Sequence, residues 1–306
     1  MSKNPTVVLS RDRNAGPRQT AMEQALLAGL EHRDTVGVLV APHLYDLAPE
    51  GPTVQTLRAI QGDLIVLAWL YPRSVYWVLE ANQIRGRLGR TSSLNEHESV
   101  DDGFNAAGHD FPDRTIWCFD LRSNDEPEYF LRQVDETLAK AMASGIAPAA
   151  GEPNGKVRVL VEATRTRWYP VVDQARCTDC KECLNFCLFG VYGLDRNGKI
   201  LVEEPDACRP GCPACARICP AGAIMFPQHK DPAIAGDPRA SLEGLKLDLS
   251  QIFAGIDPAT LAAQERQRAL ADAPPSSSAG DADHPRPKPD RPTLDQLVDQ
   301  IDGLDL

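Results

Sequence analysis

The sequence predicts an α/β domain with an open, mainly parallel sheet. A small cysteine-rich α+β module follows it, then a disordered Pro-rich linker and a short C-terminal helix. Three observations carry this prediction. Strand-like and helix-like runs alternate through the first half of the chain. Eight of the nine cysteines fall between Cys177 and Cys219. Six prolines crowd the stretch from Pro274 to Pro292. A length of 306 residues suits about two domains, and 42% hydrophobic with 25% charged residues is an ordinary globular balance.

The elements follow in order. Thr6-Val7-Val8-Leu9 reads as a buried strand, and Arg18 to Leu30 as an amphipathic helix that Pro17 can open at its first turn. Val36 to Val40 is a second strand, followed by a helix from about Thr53 to Ile60. Asp63 to Trp69 is a third strand, followed by a helix from about Arg73 to Ile84. Gly86 to Asp113 is polar and aperiodic, which reads as a long loop or insertion. Thr115 to Phe119 is a fourth strand, and Pro127 to Met142 a fourth helix. Such alternation implies right-handed crossovers and helices on both faces of a parallel sheet.

Composition then divides the chain. Residues 1–146 form the α/β domain, and the Pro/Gly-rich run from Ala147 to Gly155 reads as a connector. Residues 156–232 hold the cysteine module, 233–272 a helical extension, 273–292 the linker and 293–306 an amphipathic helix. In that last segment Leu294, Leu297, Val298, Ile301 and Leu304 recur at helical spacing among four aspartates. It can dock on a partner's groove or fold back on its own chain; both readings stay open.

The net charge of -11 argues against a general nucleic-acid binder. The longest apolar run, Leu64 to Tyr71, covers eight residues, well short of the roughly 18 that a membrane helix needs. Met1 to Pro5 lead straight into a strand-like run, from which we expect no signal peptide and a cytoplasmic protein.

The cysteines form two groups, Cys177-x2-Cys180-x2-Cys183-x3-Cys187 and Cys208-x3-Cys212-x2-Cys215-x3-Cys219, with Pro220 after the second. Three closely spaced thiolates on a tight loop can grip one face of an iron–sulfur cubane. The fourth, expected to open a short helix that points away, reaches the neighbouring cluster. That logic assigns Cys177, Cys180, Cys183 and Cys219 to cluster I, and Cys208, Cys212, Cys215 and Cys187 to cluster II. Disulfides would need an oxidising compartment. Structural zinc gives no reason for an x3 spacing to a fourth cysteine in both groups. Cys118, alone in Ile116-Trp117-Cys118-Phe119, reads as a core residue.

Over about Trp168 to Phe226 these motifs resemble the bacterial-type ferredoxins with two 4Fe–4S clusters. The resemblance implies a pseudo-twofold module of two strands and two short helices, and one-electron transfer at low potential. It also implies a redox partner protein. Two features depart from the family pattern: Leu188 stands where proline usually follows the fourth cysteine, and Cys208 and Cys212 are three residues apart. Pro210 and Gly211 can absorb the extra residue. A hairpin is expected from Val191 to Val202 around Arg196-Asn197-Gly198.

An open parallel sheet binds ligands beyond the carboxyl ends of its strands. The segments there carry Arg11, Arg13, His43, Arg73 and Arg122, which could converge on a small anionic ligand. Equally, these side chains can pair with nearby carboxylates such as Asp12 and Asp46. Neither a dinucleotide nor an NTP loop motif is present, and no residue stands out as catalytic. Residues 5–85 also resemble the small chelatases of the sirohydrochlorin type. The family's metal-handling histidines have no match, so that resemblance implies polycarboxylate binding rather than chelation. Three functions are consistent with the sequence. The favoured one is a ferredoxin-type electron carrier or subunit. The others are a reductase whose α/β domain holds an acidic, tetrapyrrole-like substrate, and a non-redox interaction protein.

Overall fold

A computed structural model of the chain describes residues 5–33, 36–91, 114–143 and 157–240. The connector at 147–155, most of the helical extension, the Pro-rich linker and the terminal amphipathic segment lie outside the described residues. The described residues belong to one compact unit.

Six strands make one parallel sheet. They are β1 (Thr6–Ser10), β2 (Gly37–Ala41), β3 (Leu64–Ala68), β4 (Arg87–Leu88), β5 (Thr115–Asp120) and β6 (Val157–Val159). Their spatial order is β4-β5-β3-β1-β2-β6, and Val8 on β1 stands opposite Leu39 on one side and Val66 on the other. Every residue of β3 is buried, as the uninterrupted run Leu64-Ile65-Val66-Leu67-Ala68 requires of a strand covered on both faces.

Proline opens each crossover helix in its first turn: Pro17 in α1 (Pro17–Glu31), Pro52 in α2 (Pro52–Ala59) and Pro72 in α3 (Pro72–Ala81). Proline lacks the N–H that a helix leaves unpaired there, and its φ is already helical. A fourth helix, α4 (Pro127–Ala143), follows β5. Met22, Leu26 and Leu30 of α1 meet Phe130, Val134 and Leu138 of α4 in one core on one sheet face. The four-residue spacing keeps each trio on a single helix face. A second core, built from α2 and α3, covers the opposite face.

Two strands differ from the sequence expectation. Gly86 to Asp113 does not begin as a loop: Arg87 and Leu88 pair with Thr115 and Ile116. Beyond the connector, Val157–Val159 adds β6 to the sheet edge at β2. Two or three residues are too few to show a strand period, so neither left a signal. No helix among the described residues is long and apolar enough to cross a membrane.

The cysteine-bearing segment forms two small antiparallel pairs. β7 (Val171–Val172) pairs with β10 (Ile224–Met225), and β8 (Tyr192–Leu194) with β9 (Ile200–Val202). Gly198, at φ 74°, turns the β8–β9 hairpin where Asn-Gly foretold it. Two five-residue helices, α5 (Glu182–Phe186) and α6 (Ala214–Ile218), lie against each other. A last short helix, α7 (Pro232–Ala235), packs on β10.

Candidate functional site

The two cysteine loops wrap in a way their sequences explain. In the first, Asp179 and Lys181 adopt left-handed backbone angles (φ 52° and 65°) on either side of Cys180. Alternation of this kind turns backbone N–H groups toward a common centre, as in anion-binding nests. In the second loop the extra residue between Cys208 and Cys212 is taken up at Gly211, whose φ of 78° costs a glycine nothing. Asp173 anchors the first loop: its side chain accepts from the Ala175 and Arg176 N–H groups, and its carbonyl accepts from Cys177 N–H at 3.0 Å.

The expected place of the fourth cysteine needs correction. Cys187 and Cys219 do not open helices; each caps the C-terminus of one, α5 and α6 respectively. The x3 spacing makes the third and fourth cysteines i and i+4. One helical turn therefore separates them, and the N–H of the fourth donates to the carbonyl of the third (3.1 Å for Cys187, 3.2 Å for Cys219).

Cys177, Cys180, Cys183 and Cys219 line one pocket together with Lys181 and Ile224. The Cys183 thiol is pushed up to about 12 by burial, reinforced by Cys177, Cys219 and Cys180. The remaining four are also mutual neighbours. Burial raises the Cys215 thiol, and Cys208, Cys212 and Cys187 add to the shift. Cys208 is pushed up to about 12 by burial, then by Cys212 and Cys187. No two cysteines are bridged. Among the described residues no group of three or more His, Cys, Asp or Glu side chains stands at the spacing of a single metal ion.

Each set offers four soft thiol donors, the ligand chemistry of an iron–sulfur cluster. A further observation fits such a group. The Tyr192 hydroxyl is buried against the Cys215 sulfur, with Cys183 and Cys187 close by. A sulfur acceptor offsets the cost of burying that hydroxyl. In addition, Ala223 N–H donates to Cys219 Sγ at 3.3 Å. Cys118 is fully buried in β5, where burial raises its thiol.

At the carboxyl edge of the sheet, the five candidate anion-binding side chains do not converge on open space. Arg73 is buried and donates to Asp173 at 2.6 Å and to the Gly222 carbonyl at 2.9 Å. Arg13 pairs with Asp46 through Nε (2.7 Å) and Nη2 (2.5 Å), and Nη2 also reaches the Arg167 carbonyl. His43 is buried between Asp46 and Gln228: the Gln228 amide donates to Nε2 at 2.9 Å, and Nδ1 lies 3.6 Å from Asp46. Arg122 pairs with Asp120 at 2.8 Å and stacks over the Tyr71 ring at 4.0 Å. Arg11 is exposed.

Three of the five therefore bind the cysteine-bearing segment itself. Apolar contacts complete this junction. Tyr169, Val171 and Met225 belong to the same core as Val75 and Tyr76 of α3. Tyr45 stacks on Tyr169 with ring centroids 4.3 Å apart, while its hydroxyl accepts from Tyr169 N–H at 2.7 Å. Desolvation outweighs Asp46 at His43 and lowers its pKa to about 4.

Sequence reasoning missed Asp173, Arg167, Tyr192 and Gln228. Asp173, four residues before Cys177, carried the one usable signal, an Asp able to cap the turn that follows. Its partner Arg73, 100 residues away, reads in the sequence as a candidate for an anionic ligand instead.

Comparison with known proteins gives three relatives, all matched over part of the chain. An uncharacterized ferredoxin of Methanocaldococcus jannaschii is 44% identical over 66 residues, which is 21% of this chain and 44% of the relative. The pyruvate synthase subunit PorD of the same organism is 33% identical over 79 residues, 26% of this chain and 88% of the subunit. PorD of Methanothermobacter marburgensis is 36% identical over 61 residues, 20% of this chain and 68% of the subunit. The chain thus spans less than half the length of the first relative. No family model matches the chain, and no solved structure matches it.

Proposed function

The chain belongs, through one segment of about a quarter of its length, to the family of the pyruvate synthase PorD subunits, and from that premise we propose that it is a ferredoxin-type electron-transfer protein with two 4Fe–4S clusters. The observation that carries the reading is the sorting of the eight cysteines. The spacing together with the ferredoxin resemblance assigns Cys177, Cys180, Cys183 and Cys219 to one cluster, and the same four line one pocket. In the other set, Cys212 and Cys187 add to the effect of burial on Cys208, and Cys208, Cys212 and Cys187 add to it on Cys215.

Bound clusters supply one-electron uptake and release. The chain's own residues prepare two cradles for them. In the first loop the left-handed Asp179 and Lys181 favour inward-turned N–H groups, and the helices α5 and α6 carry Cys187 and Cys219 one turn beyond the third cysteine of each group. Tyr192 offers a hydroxyl donor between the two sets, and Ala223 an N–H to Cys219. Binding releases protons, because thiols held well above neutrality must ionise to become ligands.

A relative that is a pyruvate synthase subunit supports a partner protein, an oxidoreductase that gives or takes electrons. Leu188, 92% exposed, and Phe189 follow the cluster II ligand Cys187, so apolar surface lies next to that cradle. We place residues 1–146 as the domain that seats the cysteine module, because Arg13, His43 and Arg73 bind that module. The test is reduction of the anaerobically purified, full-length protein by dithionite. Two interacting S = 1/2-type paramagnetic centres that reoxidise on adding a one-electron acceptor are expected. A protein that takes up no electrons overturns the proposal.

A further inference from the structure

The junction between α3 and the cysteine module contains one side chain that touches both flanks of a single cradle. Arg73 Nε donates to Asp173 Oδ2 at 2.6 Å, and Arg73 Nη2 donates to the Gly222 carbonyl at 2.9 Å. Asp173 holds the start of the cluster I loop through the Ala175, Arg176 and Cys177 N–H groups. Gly222 donates to the Cys219 carbonyl at 3.2 Å, and the next residue, Ala223, donates to Cys219 Sγ. The first and last cysteines of cluster I are thus tied to one guanidinium that belongs to the α/β sheet. The cluster II cradle meets the junction differently, through Trp168 Nε1, which donates to the Cys212 carbonyl at 3.1 Å.

We propose that Arg73 is a positioning residue for cluster I, which clamps both ends of its cradle and sets its reduction potential apart from that of cluster II. The inference rests on the two-cluster reading above. Its physical basis is burial. The Arg73 and Asp173 side chains are 6% and 5% exposed, so water does little to screen either charge. Paired, the two charges largely cancel at the cradle. Removing the guanidinium leaves the Asp173 carboxylate facing the more solvated Arg176 at 3.6 Å, adds net negative charge beside cluster I and disfavours the added electron. Removing the carboxylate leaves the guanidinium uncompensated and favours it. Net charge and hydrogen bonding near a cluster are recognised determinants of its potential.

The experiment is a redox titration followed by electron paramagnetic resonance on the full-length holoprotein, with iron content measured alongside. Cys180→Ser identifies which signal belongs to cluster I. Arg73→Gln is expected to lower the cluster I potential, and Asp173→Asn to raise it. Each shift is expected to change the reduced-to-oxidised ratio at fixed potential at least tenfold, about 59 mV for one electron. The cluster II potential is expected to stay in place. Arg73→Lys, which keeps the charge but not the fork, is expected to lie nearer the wild type than Arg73→Gln does. If Arg73→Gln sheds iron, Asp173→Asn and Arg73→Lys still report the sign. Shifts in the same direction for Arg73→Gln and Asp173→Asn would show a merely loosened fold and overturn the proposal, as would two unmoved potentials. A wild-type protein without two clusters contradicts the two-cluster reading instead, and the wild-type spectrum separates that failure from this one.

Discussion

Arg73 and Asp173 are both almost wholly buried, so deleting one partner strands a charge in a medium that solvates it poorly. Asp173→Ala is expected to destabilise the protein by about 3–5 kcal/mol, read from denaturant unfolding of the full-length chain. The second Asp173 neighbour, Arg176 at 3.6 Å, is itself a cation and cannot replace the lost carboxylate; at 38% exposed, its own lost pairing adds little. His43 makes a different prediction. Its pKa in the folded protein is lowered to about 4 from the usual 6.5, so the unfolded chain binds the proton more tightly. The stability this contributes is present above pH 6.5 and is lost as pH falls from 6.5 through about 4. Equilibrium unfolding between pH 7 and pH 4 should show that loss, and His43→Gln should flatten it. At this scale the cysteines were legible because their spacing is itself the chemistry. The roles of Arg73 and His43 were not: both lie at strand ends where ligands often bind, and only the fold reveals that protein groups meet them there.

Among the elements, strands of five residues or more and helices of eight or more could be read from their periods. β1, β2, β3 and β5 and the helices α1 to α4 lie within a few residues of their expected bounds. β4 and β6 have two or three residues each, and no period exists in so short a run, whereas β7 and β10 fall at the two ends of the ferredoxin-like span, where strands are expected. The helices α5 and α6 were expected on the wrong side of Cys187 and Cys219, because the x3 spacing was read as a loop instead of one helical turn. The corrected geometry predicts crossed ligation. Cys187→Ser should deplete the cluster held by Cys208, Cys212 and Cys215 and spare the other. Cys219→Ser should do the reverse, with iron content and the two paramagnetic signals as readouts. The second loop yields its own prediction: Gly211→Ala forces a side chain into the left-handed region at about 1–2 kcal/mol, so the cluster II signal should decay faster under denaturant than in the wild type.

For the molecule as a whole, the sheet and the cysteine module share a hydrophobic core. Tyr169, Val171 and Met225 are buried against α3 and its neighbours, so a fragment of residues 157–240 would expose all three. Such a fragment is expected to unfold at lower denaturant than the same region in the full chain; equal midpoints would show the shared core to be idle. The distribution of charge fits the same division. Residues 156–230 carry 11 basic and 8 acidic side chains within a chain of net charge -11, which sets cationic groups around thiolates that become anionic when they ligate. The central claim is the pair of clusters, and its most direct measurement is iron and acid-labile sulfide per chain after anaerobic purification. The expected result is about eight of each. About four of each, or a stoichiometry of one or two zinc ions without sulfide, would contradict it.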